Sequence, residues 1–126
     1  MKKLFRGVIA VGAFCIGTSA LADSRIDEVW DCTIVEGKTM EDVRAANADW
    51  LKLVNGKIKG GKVTSSTVVA VVGDVTGFLF VDSFPDLSAY AEVKALMSTD
   101  EGQAVEAALG EVSICTSNRL YESTPN

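Results

Sequence analysis

Cys32 and Cys115 place the tightest constraint on what this chain can become, because they lie in its first and last strand-like stretches. A bond between them would draw the two ends of one domain together. Whether they oxidise depends on where the chain matures, and the N-terminus bears on that. Lys2, Lys3 and Arg6 precede an apolar run, Gly7 to Thr18, and then Ala20-Leu21-Ala22 puts small side chains at the two positions a signal peptidase inspects. The apolar run is shorter than the roughly 20 residues that span a bilayer, and the polar segment DSRIDE follows at once. These features predict a cleavable signal peptide over residues 1–22, export to the periplasm or beyond, and no membrane attachment after cleavage. A lipid-attachment site at Cys15 is excluded by the bulky Phe14 before it. Cys15 leaves with the signal, so Cys32 and Cys115 remain as a pair where thiols oxidise, and a disulfide is expected. In the chain-entropy view, closing so long a loop is worth about 4 to 5 kcal/mol. A redox-active pair would need Cys-x-x-Cys spacing, and with no His in the chain two thiols do not complete a tetrahedral metal shell.

Cleavage makes the chain more acidic. All seventeen Asp and Glu follow Ala22, whereas three of the twelve basic side chains precede it, so residues 23–126 carry a net charge of −8. Such a surface repels nucleic acid and anionic lipid, and neither is expected as a partner. It also keeps an exported protein in solution. The remaining length suits one compact domain.

The pattern along residues 23–126 alternates strands and helices. VWDCTIV, residues 29–35, has the period of a strand. Thr39-Met40-Glu41-Asp42 offers a hydroxyl cap with an acid three residues on, and no Gly or Pro interrupts before Asn55-Gly56, which predicts a helix of about four turns. Its apolar stripe is Met40, Val43, Trp50, Leu51 and Val54, and Asn47 falls inside it. Residues 63–72 and 78–84 are two further strands, joined through the turn residues of Gly73 to Gly77 as an antiparallel hairpin. Phe78, Phe80, Asp82 and Phe84 share one face of the third strand and Leu79, Val81 and Ser83 the other, the pattern of a central strand covered on both sides. Asp86 caps the next helix, Leu87 to Met97. Ser98-Thr99-Asp100-Glu101 has the form of a capping box, so the helix breaks and restarts there, with Gly110 as its expected C-terminal cap. Residues 112–121 form the last strand. The order is the split βαβ, ferredoxin-like arrangement, βαββαβ: an α+β domain with helices on one face of a four-stranded antiparallel sheet. In it the first and last strands are neighbours, so topology and disulfide agree.

Residues 80–109 also resemble the strand-helix half of the small dimeric α+β barrel proteins, through Phe84-Pro85-Asp86-Leu87, Ala89, Ser98 and Gln103. The resemblance implies an exported member of that superfamily, pairing sheet to sheet as a homodimer. Relatives of this kind include cofactor-independent monooxygenases, isomerases and stress proteins. In the monooxygenases an Asn and a Trp help hold the substrate, which Asn47 and Trp50 match in residue type. Haem use is disfavoured because no His is present as an axial ligand, and no cofactor is expected.

Five residues are candidate ligand contacts. Asp82 interrupts an apolar strand. It either caps the Phe84-Pro85-Asp86 turn or stands as a desolvated carboxylate in a pocket. Asn47 and Trp50 lie one turn apart on the buried side of the first helix, where an amide needs a partner. Trp30 either packs on the disulfide or lines a cavity. Arg119 is the only basic residue of the last strand and either pairs with an acid or clamps an anionic ligand. Three functions are compatible with this pattern: binding of a small, mainly apolar ligand, cofactor-independent oxygenation of an aromatic or quinol-like substrate, and a structural or partner-binding role.

Overall fold

The computed structural model describes residues 24–126. The signal segment and Cys15 lie outside the described residues. Four strands, β1 (Arg25–Ile34), β2 (Thr64–Val69), β3 (Phe78–Phe84) and β4 (Ser113–Ser123), form one antiparallel sheet in the order β2-β3-β1-β4. Three helices, α1 (Met40–Lys57), α2 (Leu87–Met97) and α3 (Asp100–Val112), lie against one face of it.

Local chemistry explains most element ends. α1 starts at Thr39, whose hydroxyl accepts from the Asp42 amide at 3.2 Å while the Asp42 carboxylate accepts from the Thr39 amide at 2.8 Å. Its buried residues Val43, Asn47, Trp50 and Val54 repeat at helical spacing. α2 starts at Asp86, which accepts from the Ala89 amide at 2.8 Å. β1 and β3 are the central strands, and their inward residues, Ile26 and Cys32 from β1 and Phe78, Phe80 and Phe84 from β3, build the core against the helices.

Several boundaries differ from expectation. β1 begins four residues early, because Ile26 and Glu28 continue the inward alternation behind a charged composition. β2 stops at Val69, not residue 72: Asp74 accepts from the amide and hydroxyl of Thr76 at 2.9 and 2.6 Å, an Asx turn that widens the connection and leaves Val71 and Val72 exposed. The α2–α3 break is capped by Thr99, not Ser98, with the Thr99 hydroxyl accepting from the Gly102 amide at 3.2 Å. Gly110 does not end α3, which runs on until Val112 is buried against the disulfide and Val43. That contact outweighs the about 1 kcal/mol cost of a mid-helix glycine.

Cys32 and Cys115 face one another across β1 and β4 and are bonded. Next to them the register slips. Cys32 pairs with Cys115 but Asp31 pairs with Ser117, so Thr116 is left over as a β-bulge.

Candidate functional site

A bulge reverses the alternation of the strand beyond it. Counting by twos from Cys115 would put Ser117, Arg119 and Tyr121 on the helix side. Beyond Thr116 the inward positions are instead Asn118 and Leu120, opposite Trp30 and Glu28. Arg119 therefore lies opposite Val29 on the outer face, away from the other candidates.

Those others meet. Between the inner face of the sheet and the three helices is a cavity of about 260 Å³, walled by Trp30, Trp50, Phe80 and Met97 and reached by Asn47 and Asp82. The disulfide contributes Cys115 to its wall, and Trp30 lines the cavity with it. For scale, an apolar cavity of about 150 Å³ accommodates benzene.

The polar side of the cavity is assembled across six elements, the four strands with α1 and α2. Asp82 on β3 stands between Ser65 on β2 and Glu28 on β1, each its registered neighbour. The Ser65 hydroxyl donates to Asp82 Oδ1 and accepts from Asn47 Nδ2 at 2.9 Å. Asn47 thus finds the partner that an amide in an apolar stripe requires. Glu28, almost fully buried, accepts from Lys94 Nζ on both oxygens, at 3.0 and 2.9 Å, and from Asn118 Nδ2 at 2.8 Å. Lys94 also lies over the rings of Trp30 and Tyr90, at 5.3 and 5.1 Å from their centroids.

Asp82 does not cap the following helix; Asp86 does. Desolvation pushes the Asp82 carboxyl up to about 6 against the opposing Ser65 hydrogen bond, the charge of Glu28 adding to the rise and Lys94 resisting it. The contrast is Asp27, buried on the outer face. Burial pushes it up as well, but the hydroxyls of Ser123 and Ser83, each at 2.5 Å, and the Arg25 guanidinium hold it below the ordinary carboxylate value.

Glu28, Ser65, Lys94 and Asn118 belong to this site and were not singled out from the sequence. For Glu28 the available signal was its period: Ile26, Glu28, Trp30 and Cys32 alternate as one face. The other three are placed by partners up to 90 residues away.

No family model and no curated protein sequence matches the chain. Solved structures do. The cofactor-independent oxygenase SnoaB from Streptomyces nogalater superposes with a TM-score of 0.58 at 10% identity, over 82% of this chain and 96% of that one. A Caulobacter crescentus protein assigned to antibiotic biosynthesis monooxygenases gives 0.54 at 13% identity, over 84% and 93%. A dimeric ferredoxin-like protein of unknown function from Thermobifida fusca gives 0.51 at 10% identity, over 83% and 94%. The chain has a ferredoxin-like fold. Within this fold the cavity lies between the sheet and its own helices, and its charged and amide groups come from β1, β3 and all three helices.

Proposed function

We propose that this is an exported, homodimeric α+β barrel protein that binds a small, mainly apolar ligand in the cavity between sheet and helices. The observation that carries the reading is an aromatic-walled space of about 260 Å³ that ends on a buried carboxylate with little hydrogen bonding. Such a space sets ligand binding ahead of a purely structural or partner-binding role. Export is supported by the N-terminal pattern and by the paired cysteines. Dimerisation is supported by the outer face of the sheet, where Leu79 and Val81 are half-buried and Val68 and Tyr121 exposed, and by the dimeric state of the Thermobifida neighbour.

Gly110 supplies the test. It lines the cavity, and a Cβ added there meets nothing within 4 Å, so Gly110→Leu sets a bulky side chain at the cavity wall without a backbone clash and removes a helix-weakening glycine. Isothermal calorimetry with neutral bicyclic aromatics, 2-naphthol and 3-methylindole, should give micromolar to millimolar binding to the native protein and at least a tenfold loss in the variant, whose Tm should be no lower. Equal binding by both proteins, or by neither, removes this reading.

A second reading, a cofactor-independent monooxygenase acting on an aromatic or quinol-like substrate, is favoured by Asp82. Its Oδ2 takes no hydrogen bond from the described residues, and a carboxylate titrating near 6 is suited to take a proton from a hydroxyl that dioxygen then oxidises. Oxygen uptake with a quinol that is abolished by Asp82→Asn is the expected signature.

A further inference from the structure

Donor and acceptor counting at the cavity leaves a specific vacancy. Ser65 has one proton, and it goes to Asp82 Oδ1; Asn47 must therefore present its Nδ2 to Ser65, which leaves its Oδ1 free. Asp82 Oδ2 is free as well. Among the described residues no buried side-chain nitrogen or oxygen lacks a partner. The two free oxygens are therefore accessible, although Asp82 and Asn47 are only 7% and 8% exposed, and the space beside both is the cavity. A shared Ser65 hydroxyl holds these two acceptors side by side.

The charges around them agree in sign. The titratable groups that act on Asp82 are Glu28 from β1 and Lys94 from α2, and Glu106 from α3 lines the same cavity; β2 and α1 contribute neutral Ser65 and Asn47. Three acids thus stand against one base, and that base is already engaged by Glu28 on both oxygens. The walls on either side are aromatic faces, which attract cations, and one of them, Trp30, already carries the Lys94 ammonium.

We infer that the ligand is a small arylalkylamine bound as its ammonium, which donates to Asp82 Oδ2 and Asn47 Oδ1 while its ring packs among Trp30, Trp50 and Phe80. The inference rests on the ligand-binding reading above and narrows it to a charge class. Binding involves no covalent step. An ammonium beside Asp82 stabilises its ionised form, so near pH 6, where a part of the population holds a proton on this carboxyl, binding expels protons to the buffer.

The test is calorimetry of the full mature protein with three bicyclic probes of one ring system: tryptamine, neutral 3-methylindole and anionic indole-3-acetate. Tryptamine should bind at least tenfold more tightly than 3-methylindole, with indole-3-acetate weakest. Its binding enthalpy at pH 6 should change between buffers of different ionisation enthalpy, reporting proton release, and this change should vanish at pH 8. Asp82→Asn should abolish the preference for the amine while 3-methylindole binding persists, which also shows that the variant is folded. Equal or tighter binding of 3-methylindole, or an amine preference that survives Asp82→Asn without proton release, overturns the amine assignment and leaves the apolar-ligand reading standing. Binding by none of the three overturns both.

Discussion

Asp27 and Asp82 sit on opposite faces of the sheet, both more than nine-tenths buried, and burial has opposite outcomes for them. Three donors hold Asp27 ionised, whereas Asp82 has one donor and an acidic neighbour. The sign of the consequence follows from which state binds the proton better. Folded Asp82 binds it more tightly than the unfolded chain does, so its contribution to stability is complete below pH about 4 and is lost as pH rises through about 6. A rise of that size corresponds to about 2 to 3 kcal/mol. Asp82→Asn, with an uncharged amide whose oxygen still accepts from Ser65, should therefore match the native protein in stability near pH 4. It should exceed native stability by that amount above pH 7, as measured by urea unfolding across the range. A variant less stable than the native protein at pH 8 would assign Asp82 a structural role instead.

Elements were legible in the sequence where their determinants are local. Thr39 with Asp42, and Asp86, mark helix starts because the capping atoms lie within three residues of each other. The α2–α3 break was visible but its cap was not, since Ser98 and Thr99 both carry hydroxyls and only tertiary sterics choose between them. The deciding residue is Gly102, where an added Cβ would stand 2.2 Å from the Leu96 carbonyl oxygen and 2.5 Å from Met97 Cα, both backbone atoms that cannot step aside. Gly102→Ala gains about 1 kcal/mol of helix propensity, but the clash should dominate and cost a net of about 3 kcal/mol in chemical denaturation. A neutral result would mean that the two helices can separate freely. The site was less legible than the fold for a related reason. Asn47, Trp50, Trp30 and Asp82 could be read from periodicity, whereas the face on which Arg119 lies depends on one unpaired residue, Thr116, and Glu28 and Lys94 acquire their meaning from each other across 66 residues.

The two faces of the sheet have different needs at the scale of the whole molecule. Helices cover the inner face; the outer face presents Val29, Leu79 and Val81 in its centre, with Val68 and Tyr121 beside them. Native mass spectrometry of protein exported from its host should show a dimer of residues 23–126, each copy two hydrogens lighter than the dithiol, and sedimentation at micromolar concentration should agree. A monomer independent of concentration would leave that apolar face without an explanation. The order of strands also has a consequence in time. β1 is made first, yet its neighbours in the sheet are β3 and β4, the last two strands to be made. Neither Glu28 nor Cys32 can meet its partner on β4 until more than 80 further residues have been synthesised. β1 therefore stays without a partner until β3 has been made, and the β1–β4 edge, with its disulfide, closes only when the last strand is complete.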